Sequence, residues 1–289
     1  MGAALALVSA LSYGLSDVVG GIVARRMRAV HVAFLGQLGG LLAMAVAAPL
    51  LTPARPAMPD LLWGGLSGLG TGLGMAFLFR GMGRGAMSVV VPVSAVGGVA
   101  LPVLVGVTLL GERPGWPTWV GVGLALPALW LVSRPSSRPT DVGPTPGSVA
   151  DGLVAGVGIA VQYLALARSA SAAGLWPVLA GRVVALVAVG VLACTLMRGL
   201  PGRTADGERR AGARELAAAG GSGVLAAVAL TAYLVAAQSG FVTVAVVLSS
   251  LYPLVPVAIG VAVLGERLSR GQVLGLFAAT AAALLIALS

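Results

Sequence analysis

Ten apolar segments, each about as long as a helix that crosses a bilayer, make up nearly all of this sequence. Charged residues are 9% of the chain and hydrophobic residues 58%, whereas a soluble domain carries about 25% charged residues. With so few charges the chain cannot cover its surface with polar groups, so that surface must face lipid. The segments are approximately 2–23, 31–51, 61–80, 87–110, 117–133, 149–168, 174–197, 215–237, 241–264 and 271–288.

The gaps between the segments are short and leave no room for a soluble domain. The longest gaps, 133–147 and 198–215, are rich in Pro, Gly and charged residues, which is typical of loops. The first segment lacks a basic stretch before it and nine more follow, so we expect it to be retained rather than cleaved as a signal. The sequence predicts an all-α polytopic membrane protein with ten transmembrane helices.

The basic residues and the rare reactive residues argue against several functions. All 18 basic residues are Arg, mostly in the gaps, where membrane topology explains them. Cys194 alone cannot form an internal disulfide, and His31 alone cannot build a metal cluster or a catalytic triad. We therefore expect no enzyme activity, no catalytic residue, no metal, no cofactor and no nucleic-acid partner. The expected partners are the lipid bilayer and a small-molecule substrate.

The tripeptide Gly-Glu-Arg occurs twice, at 111–113 and 265–267, each time at the end of an apolar segment. Aligning the copies across 102–125 at an offset of 154 gives ten identities in 24 positions, including Pro102 with Pro256. Five segments separate the copies, and because five is odd the halves are expected to insert in opposite orientations, as an inverted repeat. The predicted units are a five-helix repeat at 1–137, a linker at 138–148 and a second five-helix repeat at 149–289.

We predict a structural role for the glutamates of the repeated tripeptide and a mechanical role for the prolines in the segments that precede them. Glu112 and Glu266 are expected at helix ends, in water, on opposite faces of the membrane, as turn and orientation signals. Prolines remove backbone donors and bend helices, and in a membrane this is tolerated where protein or a watery cavity covers the freed carbonyls. The predicted hinge or gating residues are Pro92, Pro102, Pro253 and Pro256.

This pattern resembles a known family. Ten helices in two halves, each with "P…LGER" followed by a short Gly-containing helix, are similar to the drug/metabolite transporter superfamily, and within it to the EamA-type transporters. The stretch YGLSDVVGGIVARR (13–26) also resembles the start of many bacterial EamA proteins. The resemblance implies a multi-pass exporter or exchanger of small metabolites, such as amino acids or related compounds, in the cytoplasmic membrane.

The distribution of Arg and the resemblance predict different orientations. Fourteen Arg residues lie in, or at the edge of, the gaps after the first, third, fifth, seventh and ninth segments. The positive-inside rule then puts both termini outside. The resemblance implies cytoplasmic termini, and both orientations stay open.

The first segment carries a polar stripe at helical spacing, which includes Ser9, Tyr13, Ser16 and Asp17. Asp17 is interpreted as the only carboxylate well inside a segment, and such a group normally faces a cavity or a partner. It either couples transport to a proton or contacts a substrate amine, or else it forms a structural ion pair or stays wet near the surface. A coupling proton or other ion is therefore a candidate partner.

Arg182 in the seventh segment corresponds to Gln37 in the second, because Gly181 aligns with Gly36 at an offset of 145. EamA-like sequences commonly carry an Arg here, so Gln37 departs from the family pattern. Arg182 either meets a substrate carboxylate or extends to the membrane interface.

Neutral polar residues at membrane depth complete the predicted site, although each could equally bond a neighbouring helix. The predicted substrate-binding residues are Tyr13, Ser16, Asp17, Gln37, Gln162, Tyr163, Arg182, Thr231, Ser249 and Tyr252. The stretch GGLSGLGTGLG (64–74) is interpreted as a helix-packing stripe with small residues at every fourth position, not as a nucleotide-binding loop.

The function predicted from these features is secondary transport by alternating access. No ATP-binding motif is present, so energy would come from an ion or solute gradient. A channel-like pore and a non-transporting membrane scaffold are the alternatives. A membrane-embedded enzyme is disfavoured, because no cluster of acid, base and nucleophile is evident.

Overall fold

The computed structural model describes residues 2–52, 56–109, 115–132, 145–166, 168–195, 212–238 and 252–287. The helices are α1 (Gly2–Ala24), α2 (Ala29–Leu51), α3 (Met58–Arg84), α4 (Met87–Leu109), α5 (Trp116–Val132), α6 (Pro146–Leu166), α7 (Trp176–Thr195), α8 (Ala213–Gln238), α9 (Leu254–Ala262) and α10 (Arg270–Ala287), with a short 3-10 helix at Ser171–Ala173.

The helices agree with the apolar segments of the sequence. Their ends fall within four residues of the predicted spans, except for the start of α9, because residues 239–251 lie outside the described ranges. Six of them, α1, α2, α3, α6, α7 and α8, are long and apolar enough to cross a membrane. Apolar side chains such as Leu42, Leu50 and Phe277 are more than half exposed, as lipid-facing side chains are. The prediction of an all-helical polytopic membrane protein is confirmed.

Successive helices run in alternating directions, and this defines two faces. We call the face at which α1 begins the terminal face and the opposite one the arginine-rich face. Interhelical contacts agree with these directions: Gly68 of α3 lies against Gly181 of α7, which runs parallel to it, and Gly70 lies against Gly158 of α6, which runs antiparallel. Arg25, Arg84 and Arg267 lie at the arginine-rich face.

The helices around the centre pack in a regular pattern. Helix α3 packs against α6 and α7, while α8 packs against α1 and α2. Helix α4 packs along α6, and α5 packs against α10 away from the centre. The polar interior of the molecule is therefore surrounded by α1, α3, α6, α7 and α8.

Glycines on α3 allow its backbone to touch that of α7. A Cβ atom built on Gly68 would collide with the carbonyl of Gly181, and one on Gly72 would lie 3.0 Å from the carbonyl oxygen of Ala185. Such close approach gives the van der Waals contact that holds membrane helices together. The interpretation of 64–74 as a helix-packing stripe is confirmed.

The expectation that Glu266 is wet is wrong. Gly265 has a φ of +68°, a left-handed conformation that Gly adopts without strain, and it turns the chain back after α9. Glu266 is thereby buried, with 6% of its surface exposed. A Cβ on Gly260 would lie 2.6 Å from the Glu266 Oε2, so Gly260 leaves room for the carboxylate. Glu112 lies outside the described residues.

The four prolines predicted as hinges occupy different positions within their helices. Helix α4 continues through Pro92 and Pro102. Pro253 precedes α9 and Pro256 is its third residue, where a backbone N–H has no partner within the helix. In the described part of α9 these two prolines therefore mark a helix start and remove no helical hydrogen bond. A hinge role for the four prolines stays a prediction.

Substitution of Gly68 by Ala is expected to lower the thermal unfolding midpoint of the detergent-solubilised protein, because the new methyl group would collide with the Gly181 backbone. Overpacking of this kind costs about 1–3 kcal/mol. The matched control is Gly65→Ala in the same helix, where a Cβ would lie an ordinary 3.4 Å from Val184. Equal midpoints for the two variants would contradict the packing interpretation.

Candidate functional site

A cavity lies between the helices near the middle of the membrane. The empty space between its lining atoms is about 590 Å³, including the part open to solvent, and the centres of water molecules can occupy about 60 Å³ of it. That is room for a few waters or a small molecule. Its lining residues are Tyr13, Asp17, Thr71, Gly74, Met75, Leu78, Ile159, Gln162, Tyr163, Arg182, Ala226 and Tyr252.

Six of the ten residues predicted to bind substrate line this cavity. They come from α1, α6, α7 and the turn before α9, and they are Tyr13, Asp17, Gln162, Tyr163, Arg182 and Tyr252. The chain thus brings together residues that are up to 239 positions apart in sequence. Substrate binding by these residues stays a prediction.

Asp17 lies in the middle of α1 and is 6% exposed. The polar stripe on α1 faces the interior because the opposite face, with Leu7, Leu11 and Leu15, is exposed. Among the described residues, no salt bridge includes Asp17; those found there join Glu266 and Asp151 to arginines. Within the described ranges Asp17 therefore faces the cavity without an ion-pair partner.

Arg182 lies on α7 and is 4% exposed. Its Nη1 donates a hydrogen bond of 3.0 Å to Oε1 of Gln37 on α2. A Cβ on Gly40 would lie 3.3 Å from the guanidinium carbon, so Gly40 makes room for the guanidinium beside α2. Within the described ranges, this bond uses one of the five N–H donors of the guanidinium and leaves the others for further acceptors.

Gln37 does not line the cavity and lies behind Arg182 instead. It is fully buried, and its Nε2 has no hydrogen-bond partner within the described part of the chain. Gln37 therefore holds the guanidinium of Arg182 from the neighbouring helix α2.

Tyrosines form an aromatic wall of the cavity. The rings of Tyr13 and Tyr252 are 6.1 Å apart, centroid to centroid, and tilted by 56°. The buried hydroxyl of Tyr13 has no protein partner in the ranges described. Tyr163 is 37% exposed. Aromatic faces and hydroxyl donors together suit a small ligand with both apolar and polar parts.

Two other predicted residues do not line the cavity, and a third lies outside the described residues. Ser16 donates a 2.7 Å hydrogen bond to the carbonyl of Ser222 and joins α1 to α8. Thr231 lies 3.8 Å from the sulfur of Met44 on α2. Ser249 lies outside the described residues.

Sequence reasoning missed half of the cavity lining. Thr71 carries a weak signal as the threonine within the glycine-rich stretch, and its hydroxyl bonds to the Ser67 carbonyl at 2.9 Å. The remaining residues, Gly74, Met75, Leu78, Ile159 and Ala226, are apolar or small. Such residues are the ordinary composition of a membrane helix, so no sequence signal distinguishes them.

A second, smaller cavity adjoins the first on the side of the terminal face. It shares Thr71, Gln162 and Arg182 with the central cavity. Its other lining residues are Ser67, Leu166, Val178, Gly181 and Leu230. The polar interior thus continues from mid-membrane toward the terminal face.

Asp151 is another buried carboxylate within a helix, near the helix start. Helix α6 begins at Pro146, earlier than predicted, so Asp151 lies inside it and is 2% exposed. Its Oδ1 accepts a 2.9 Å hydrogen bond from Nε of Arg80, and its Oδ2 lies 3.5 Å from Nη1 of Arg84. The Arg80 guanidinium also lies 4.3 Å from the centre of the Phe77 ring. These pairs join α3 to α6 at the arginine-rich face, away from the cavity.

Residues 1–134 match the EamA-like transporter family. This family belongs to the drug/metabolite transporter superfamily, and the resemblance predicted from the sequence is confirmed. The EamA match indicates a membrane transporter of the drug/metabolite type, and EamA transporters are typically not enzymes. No curated protein matches the chain significantly.

A solved structure, described as the crystal structure of a protein, has a fold similar to that of this chain. It superposes with a TM-score of 0.60 at 16% sequence identity, covering 98% of this chain and 95% of that chain. At this identity the likeness shows a shared fold alone.

Substitution of Gln37 by Leu is expected to destabilise the protein, because the buried Arg182 loses its acceptor. A hydrogen bond to a charged group contributes about 1.5–3 kcal/mol, so the thermal unfolding midpoint should fall. The matched control is Gln162→Leu, which makes the same change at a residue that faces the cavity. If Gln162→Leu lowers the midpoint as much as Gln37→Leu does, the role of Gln37 in holding Arg182 is wrong.

Proposed function

We propose that this chain is a secondary transporter, an exporter or exchanger, that moves small metabolites such as amino acids or related compounds across the cytoplasmic membrane. Transport proceeds by alternating access, driven by an ion or solute gradient. The observation that carries the proposal is a single mid-membrane cavity lined by both a buried carboxylate and a buried guanidinium, Asp17 and Arg182.

The charges of the cavity suit a zwitterion. A substrate carboxylate would accept hydrogen bonds from Arg182, whose donors are only partly used by Gln37. A substrate amine would pair with Asp17, which has no salt bridge within the described ranges. Gln162 and the tyrosines would bind the uncharged part of the substrate. Alternatively, Asp17 binds a coupling proton or other ion.

The two halves are proposed to be inverted five-helix repeats. The contacts between helices support this. When α1 to α5 are exchanged with α6 to α10 in order, several of the main helix contacts map onto one another. The α3–α6 contact becomes α8–α1, and the α3–α7 contact becomes α8–α2. The α2–α7 and α5–α10 contacts map onto themselves. A cavity at the interface of such repeats is where secondary transporters bind substrates.

Alternating access requires helices that bend or rotate about the central site. The four prolines of α4 and α9 are proposed as the places where this occurs. Pro256 precedes Gly260, and both are buried beside the Gly265 turn. Rotation here would move Tyr252 and the cavity wall together with the turn.

Asp17→Asn and Arg182→Gln are each expected to reduce counterflow of labelled zwitterionic amino acids in proteoliposomes by about tenfold or more, because each removes a charge-assisted contact. The matched control is Arg214→Gln, at an exposed Arg at the start of α8, which should retain wild-type flux. Purified variants should be compared at equal amounts of monodisperse protein.

Saturable counterflow by the wild-type protein separates a carrier from a channel-like pore or a scaffold. Amino acids, amines without a carboxylate and carboxylates without an amine form the substrate panel. Absence of saturable exchange across that panel would contradict the proposed function. Normal flux and normal pH dependence in both Asp17→Asn and Arg182→Gln would remove these residues from the mechanism.

A further inference from the structure

Apolar side chains fill the interior between the cavity and the arginine-rich face. Phe79 and Met82 of α3 and Met87 of α4 have no exposed surface, and we call these three the apolar plug. They pack against α1: a Cβ on Gly21 would lie 2.5 Å from the Met87 Cε and 2.9 Å from the Met82 Sδ. Because α1 has glycines at these positions, its backbone lies in direct contact with the plug.

The plug lies directly beyond the site in the direction of the arginine-rich face. Asp17 and Leu78 line the cavity, and Gly21 and Met82 lie four residues further along the same two helices. Four residues are about one helical turn. A solute that leaves the cavity toward this face must therefore pass between α1 and the plug.

Glu266 bonds to both helices that border the plug. Its Oε1 and Oε2 accept hydrogen bonds of 3.0 Å each from the backbone amides of Met87 and Ser88, the first two residues of α4. Its Oε1 also lies 2.6 Å from Nη2 of Arg25, directly after α1. The Glu266 side chain is 3% exposed and that of Arg25 is 29% exposed.

These contacts match the chemistry of a helix start. The first amides of an α-helix have no partner within the helix, and its positive end favours an anion. A buried carboxylate in turn requires several donors to offset its lost hydration. Glu266 lies in the segment after α9, in the second half of the chain, and its partners are in the first half, so it connects the halves.

We propose that Glu266 is a latch that holds α1 against α4 over the apolar plug and keeps the cavity closed at the arginine-rich face. Opening at this face separates α1 from α4, so Glu266 must give up Arg25 or the α4 amides. This inference rests on the proposed function, because a closed face has meaning only for a cavity that opens on alternate sides.

Asp151, a second buried carboxylate that the structure describes at this face, has a different position. Its pairs with Arg80 and Arg84 join α3 to α6, two helices that already touch through the backbones of Gly70 and Gly158 at mid-membrane. These ion pairs reinforce a continuous interface. Glu266 instead joins the end of α1, the start of α4 and the turn after α9.

The test measures access to the cavity without requiring transport. Cys194 is exposed, so it is first replaced by Ser. Met75 of the cavity lining is then replaced by Cys as the reporter. A membrane-impermeant maleimide is added to sealed vesicles of either orientation, and a separate Arg26→Cys variant, exposed beside Arg25, identifies the vesicles whose arginine-rich face meets the reagent.

Glu266→Gln is expected to increase the labelling rate of the Met75→Cys reporter from the arginine-rich face about tenfold, because it removes the charge from three contacts at once. Arg25→Gln should give a smaller increase, because it removes the ion pair and leaves both bonds to α4. The matched control is Glu215→Gln, since Glu215 accepts a bond from Gly212 at the start of its own helix; this variant should label like the parent.

Unchanged labelling in folded Glu266→Gln, with the Arg26→Cys control accessible, would overturn the latch. If Glu266→Gln does not fold, unchanged labelling in Arg25→Gln would overturn it. Counterflow measured on the same proteins separates the two hypotheses. Faster labelling without wild-type counterflow supports the latch and contradicts the transport function. Normal wild-type counterflow with unchanged labelling contradicts the latch alone.

Discussion

Backbone contact between helices is the interaction on which the rest of this structure depends. In lipid, apolar side chains gain little by leaving one apolar environment for another, so helices associate where small residues let them touch. Gly68 with Gly181, and Gly36 with Gly223, provide such contacts on α3 and α8. These contacts bring α3 and α8 close to their neighbours in both halves of the chain, and the polar residues of the surrounding helices meet in the space that remains.

Four of the buried charged side chains that the structure describes divide into two kinds. Asp151 and Glu266 have several donors each, and they join helices where these emerge at the arginine-rich face. Asp17 and Arg182 line the cavity, where the charge of Asp17 is not offset by a salt bridge in the described ranges and that of Arg182 only by the amide of Gln37. Charged side chains that are paired with several partners stabilise the fold. Charged side chains that still have unpaired hydrogen-bonding groups are suited to bind a substrate or an ion.

Much of the helical fold could be predicted from the sequence, because length and apolarity alone identify a membrane helix. The residues that line the cavity were predictable where they are polar, as with Asp17, Gln162 and Arg182, since a polar residue at membrane depth stands out. Apolar lining such as Leu78 does not. The burial of Glu266 was also not predictable, because it depends on a left-handed turn and on amides that precede it in the chain by almost 180 residues.

The pairing of Arg182 with Gln37 has a consequence for membrane voltage. With Asp17 and Arg182 ionised, the cavity walls carry one charge of each sign, and a zwitterionic occupant adds none. Each unit of net charge that crosses a membrane exchanges about 2.3 kcal/mol with a potential of 100 mV. An Arg in place of Gln37 would give the cavity a net positive charge. The membrane potential would then oppose or drive the movement of that charge. With the zwitterionic substrate proposed above, the loaded site would be electrically balanced, and voltage would act through a coupling ion.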